Sequence, residues 1–124
     1  MDNTEIAERL FAALAGKDCQ AVRSLCSPHL RVRQNNGKPI DLETLLKFSG
    51  AVGRLVTDFR YGDPVRAATE TGFVEEHSVR GTLPGGKTLD FRVCVIADVS
   101  DGKVTDVREY FDSAAAAGLV AALR

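Results

Sequence analysis

Two residues suited to moving protons lie on segments that the sequence marks as strands. His77 sits in FVEEHSVRGT and Glu109 in VREYFD. Histidine is the side chain best matched to proton transfer near neutral pH. Glu109 lies between Val107 and Phe111 on an apolar strand face. A carboxylate on such a wall costs free energy unless it is paired, hydrated or used, and burial raises its pKa toward an acid or base role. His77 and Glu109 are therefore the candidate catalytic residues. The commoner role for one histidine on a half-buried strand is structural hydrogen bonding, and Glu109 could equally be neutralised by an arginine.

The faces follow from period-two alternation. Along KTLDFRVCVIADVS, Leu89, Phe91, Val93, Val95, Ala97 and Val99 alternate with Asp90, Arg92, Cys94, Ile96 and Asp98. On the preceding strand, Phe73, Glu75, His77, Val79 and Gly81 share one face. If Val79 faces the core, so do His77 and Glu75, although Glu75 lies nearer the strand end, where solvation is expected. A hairpin through Gly85-Gly86 puts His77 opposite Val93. A three-residue loop at 100–102, with Gly102 left-handed, puts Val93 opposite Glu109. His77, Val93 and Glu109 would then form a row, with the outer backbones roughly 10 Å apart. A different loop at Asp101-Gly102 would turn Arg108 and Tyr110 inward. The first register is preferred because Val107 and Phe111 otherwise lack a dry side.

The elements before this sheet read as helices. Ile6, Leu10 and Leu14 form a stripe over 4–15, with Asp2 as cap and Gly16 as stop. Asp18 starts a second short helix that Pro28 should end, and His29 to Gln34 is a short strand. Asp41 caps a third helix to about Val52. Asp58 to Thr71 reads as one strand broken by a bulge at Gly62-Asp63-Pro64. The alanine-rich segment from Ser113 reads as a short terminal helix.

Composition narrows the classes. The 124 residues suit one domain, 1–124, that is 44% apolar and 27% charged with net charge −1. The charges are interspersed, so no nucleic-acid partner is expected. No apolar run approaches the roughly 20 residues of a membrane helix. MDNTEIAERL lacks the pattern of a signal peptide, so Cys19, Cys26 and Cys94 are expected to be free thiols in the cytoplasm. His29, His77 and the scattered acids match no metal spacing. Neither metal nor cofactor is expected, and there is no phosphate loop and no nucleophile elbow.

The full chain resembles the SnoaL-like branch of the nuclear-transport-factor-2-like superfamily, most specifically through VRGTLPGGKTLDFRVCVIADVSDGKV (79–104) and VREYFD (107–112). The resemblance implies an α+β fold: a cone-shaped barrel of three N-terminal helices packed on a strongly bent mixed sheet, with a short C-terminal helix. It implies a cavity between the helices and the concave sheet face, and a homodimer through the convex face. Polyketide cyclases, ketosteroid isomerases, epoxide hydrolases and non-catalytic binding modules share this fold, so fold alone does not assign function. The isomerase positions carry Gln34 for the base, Leu10 for the tyrosine and Val95 for the protonated acid, so steroid isomerisation is not expected. The epoxide hydrolases' Asp-Arg-Asp arrangement has no inward-facing match. His77 matches a cavity histidine of the cyclases, and Glu109 is the candidate for their acid. The expected pocket is lined by Leu10, Leu14, Gln34, Glu75, Val79, Phe91, Val93, Val95, Val107 and Phe111. It would hold a compact, mostly apolar organic ligand. That describes either an acid–base enzyme of the cyclase or isomerase type, or a non-catalytic ligand-binding or dimerisation module.

Overall fold

The computed structural model describes all 124 residues. Helix α1 (Asn3–Ala15) starts where the Asp2 carboxylate accepts the Glu5 N–H at 2.9 Å, and it buries Ile6, Ala7, Leu10 and Phe11. Asp18 caps α2 (Cys19–Leu25) by accepting the Ala21 N–H. This helix ends at Leu25, short of Pro28, and strand β1 (Cys26–Gln34) contains the proline. β1 is an edge strand, and its pairing with β5 is irregular between Cys26 and Arg31. A missing N–H there interrupts no regular ladder. Asp41 caps α3 (Leu42–Leu55), whose Leu42, Leu46 and Val52 are buried.

Four strands follow: β2 (Thr57–Ala68), β3 (Gly72–Thr82), β4 (Thr88–Ser100) and β5 (Lys103–Phe111). The sheet order is β1-β5-β4-β3-β2, with β1 parallel to β5 and every other pair antiparallel. The architecture is α+β: an open mixed sheet with helices packed against it, ending in the short α4 (Ala117–Ala122). α4 begins later than the alanine run suggests. The Asp112 carboxylate accepts the Ala114 N–H, and Asn35 holds the Phe111 carbonyl and Ser113, so the alanines up to 116 form turns. No helix is long and apolar enough to cross a membrane.

The inner sheet face carries Phe73, Val79, Phe91, Val93, Val95 and Val107, all buried. On the outer face Arg80 pairs with Asp63 and Asp90, Arg92 with Glu76, and Arg108 with Asp98 and Asp106.

Two bulges set which side chains meet. His77 pairs with Val93 as expected, but Val93 pairs with Phe111, and Glu109 pairs with Val95. The expected row of His77, Val93 and Glu109 is therefore displaced by two residues. The loop is a two-residue turn, with Ser100 opposite Lys103 and both Asp101 and Gly102 left-handed at φ 51° and 75°. This geometry matches the strand twist. An irregularity between Asp98 and Val99 then inserts one residue on β5. Val104 and Val107 consequently both reach the core, and Glu109 stays on the inner face. The second bulge lies between Gly62 and Val65 in β2, where Asp63 has φ 50°. It shifts the register by one, so Tyr61 opposite Val79 and Arg66 opposite Glu75 share the inner face.

Candidate functional site

A cavity of about 410 Å³ opens between the helices and the inner sheet face. Phe11 and Leu14 of α1, Leu45, Phe48 and Val52 of α3, and Leu119 and Leu123 near the C-terminus form its apolar roof. Phe59, Tyr61, Val79, Phe91, Val93 and Phe111 form the sheet wall. Its polar lining comes from Lys17, Gln34, Ser49, His77, Glu109 and Arg124, with the Tyr61 hydroxyl.

His77 is 2% exposed, and its ring lies between Phe11 and Tyr61, with centroids 4.7 and 4.4 Å away. Its Nδ1 stands 2.6 Å from Glu75 Oε2. Glu75 Oε1 accepts from Arg66 Nε, also at 2.6 Å, and Arg66 reaches Glu8 of α1 at 3.9 Å. Glu75 is 1% exposed. The solvation expected for it is thus overturned, because Arg66 on the neighbouring strand supplies a partly buried counter-charge. A carboxylate that already accepts from a guanidinium also accepts from imidazole, which assigns a proton to His77 Nδ1; in the neutral ring the lone pair then lies on Nε2. Nε2 has no hydrogen-bond partner in the protein, yet no fully buried polar side-chain atom is left unpaired, so Nε2 is open to the cavity.

Glu109 faces the same cavity from β5. Gln34, directly opposite on β1, donates from Nε2 to Glu109 Oε2 at 3.2 Å. Burial pushes the Glu109 carboxyl above the usual carboxylate range, and the Gln34 hydrogen bond opposes that rise, as does His77 when its ring is protonated. Burial, with Glu109 and Glu75 nearby, holds the Tyr61 phenol well above its usual range. Its hydroxyl makes no hydrogen bond within the protein and stays a donor.

The sequence matches the model of the SnoaL-like domain over residues 7–107. The chain belongs to the SnoaL-like family. No curated protein matches it. Among solved structures, a candidate polyketide cyclase from Xanthomonas campestris is 19% identical, with a TM-score of 0.80 over 98% of this chain and 96% of that one. A candidate polyketide cyclase from Pseudomonas putida is 22% identical, with a TM-score of 0.78 over 90% and 92%. A protein with a ketosteroid isomerase-like fold from Catenulispora acidiphila, solved with trimethylamine, is 13% identical, with a TM-score of 0.79 over 94% and 93%. At these identities the likeness is one of fold.

In this SnoaL-like domain, His77, Glu109, Leu14, Gln34, Val79, Phe91, Val93 and Phe111 all line the cavity. Four residues expected there do not. Glu75 stands behind His77, and Val95 is fully packed between Glu75 and Glu109. Leu10 and Val107 border a separate void of about 20 Å³. The sequence reading passed over Tyr61, Arg66 and Lys17. The spacing of Phe59 and Tyr61 ahead of the bulge was the available signal for the tyrosine. For Arg66 the signal was the bulge expected at Gly62-Asp63-Pro64, because the one residue inserted there sets its side.

Proposed function

We propose that this SnoaL-like domain binds a compact, mostly apolar organic molecule and transforms it by acid–base chemistry of the cyclase or isomerase type. His77 is the base and Glu109 the acid or orienting group. The observation that carries the reading is the Arg66–Glu75–His77 chain, buried at Glu75 and His77 and ending in a free Nε2 at an apolar cavity. Glu75 holds the imidazole in one tautomer and orientation, as a base needs an orienting partner.

In such a step Nε2 takes a proton from an acidic C–H of the ligand, and charge develops on a neighbouring oxygen. Glu109, in its protonated form, which burial favours, and the Tyr61 hydroxyl are the donors available to that oxygen. Protonation at another carbon by the imidazolium completes an isomerisation and restores the base. The apolar walls exclude water that would compete for the proton.

The convex face, where exposed Tyr110 and partly exposed Cys94 and Ile96 lie among the paired arginines, suits a homodimer. The three free thiols suit a reducing cytoplasm.

5-Nitrobenzisoxazole tests the base without knowledge of the substrate. Removal of its C3 proton breaks the N–O bond and yields a coloured cyanophenolate. The protein is expected to accelerate this above buffer, and His77→Phe to lower the rate by ~10²-fold. No acceleration by the parent protein, or an unchanged rate in His77→Phe, contradicts the catalytic reading and favours a binding module without turnover.

A further inference from the structure

Lys17 reaches the cavity through two unusual local features. Its backbone is left-handed at φ 56°, a conformation that residues with a Cβ seldom adopt. Its stem lies across Gly53 of α3, where a Cβ would stand 2.8 Å from Lys17 Cε. A glycine inside a helix weakens it, and here the missing side chain makes the groove in which the lysine lies. The ammonium is thereby seated 4.1 Å above the Phe59 ring centroid and 3.4 Å from Ser49 Oγ. It forms no ion pair, whereas Arg66, Arg80, Arg92 and Arg108 all do. Burial also lowers its pKa, as expected of a cation without a compensating charge. Its ring and hydroxyl contacts leave donor capacity facing the cavity, because an ammonium has three N–H groups.

We propose that Lys17 selects the ligand class by pairing with a single anionic head group of the carboxylate kind, while the ligand's apolar body fills the cavity toward His77. The inference rests on the reading that the cavity takes a small organic molecule. It adds the sign of charge that such a molecule carries. Arg124, exposed near the end of α4, is the other lining cation and the natural control.

The test uses two fluorescent probes with the same aromatic body, 1-anilinonaphthalene-8-sulfonate and the uncharged N-phenyl-1-naphthylamine. The parent protein is expected to bind the sulfonate about tenfold more tightly than the neutral probe. Lys17→Met keeps the apolar stem and should abolish that preference while leaving the neutral probe's affinity unchanged. Arg124→Met should retain the preference. Gly53→Ala favours the helix but displaces the lysine stem, and should reduce the preference with the charge still present. Equal affinities in the parent, or a preference that survives Lys17→Met or Gly53→Ala, overturn the inference and leave the cavity reading standing. Failure of both probes to bind the parent overturns the cavity reading and the inference together.

Discussion

Glu75 and Glu109 flank the same residue: Val95 of β4 pairs with Glu75 on one side and Glu109 on the other. One sheet row thus holds two inward carboxylates in different surroundings. Glu75 is bound by Arg66 and His77, whereas Glu109 has only the Gln34 amide and the cavity. Two carboxyl groups in contrasting environments can take different roles. Here Glu75 holds His77, the proposed base, and Glu109 is the group whose pKa burial raises.

The raised pKa of Glu109 makes its effect on stability depend on pH. Between the ordinary glutamate pKa and the raised one, the folded state binds more protons at this site than the unfolded state, so stability falls as pH rises through that window. Glu109→Gln removes the ionisation and can still accept from Gln34. It should raise the melting temperature relative to the parent above the window, and the difference should vanish as pH falls below about 4. Thermal melts at pH 4 and pH 8 check this, and an equal difference at both pH values would contradict it.

The Arg66–Glu75 pair should show strong coupling. Glu75 is fully buried, so Arg66→Met leaves its carboxylate with His77 alone, at a cost of about 3 kcal/mol. Once the arginine is gone, Glu75→Gln removes the stranded charge and should add no further loss. Urea unfolding of the two single variants and the double variant measures the coupling. Purely additive losses would mean that the pair is solvated in solution.

The cysteines should differ in reactivity. Burial pushes the Cys26 thiol up to about 11, opposed by the charge of Lys103, while Cys19 is exposed. Thiolate is the reactive form, so iodoacetamide at pH 8 should label Cys19 rapidly and Cys26 only on unfolding. Peptide mass spectrometry reads the sites, and rapid labelling of Cys26 in the folded protein would contradict the packing of α2 against β1.

Strand faces were legible because period-two alternation survives changes in loop geometry. Phe73, His77, Val79, Phe91 and Val93 face inward as their spacing requires. Cross-strand partners were not legible. The inserted residue near Thr105 leaves no mark on composition, and the bulge that Gly62-Asp63-Pro64 does mark does not reveal how many residues it inserts, yet the two decide that Glu109 meets Val95 and that Arg66 meets Glu75. His77 could therefore be picked out from its strand. Its orienting chain could not, because the arginine lies nine residues before the glutamate it holds and reaches it only through a bulge.

The central claim is that Glu75 fixes the His77 proton on Nδ1 and leaves Nε2 bare toward the cavity. A long-range ¹H–¹⁵N correlation spectrum of the imidazole at pH 8 tests it most directly, because it distinguishes protonated from bare ring nitrogens. The geometry predicts a protonated Nδ1 and an unprotonated Nε2 in the parent protein, with loss of that single tautomer in Glu75→Gln. A proton on Nε2 alone, or on both nitrogens, would contradict the role of His77 as the base.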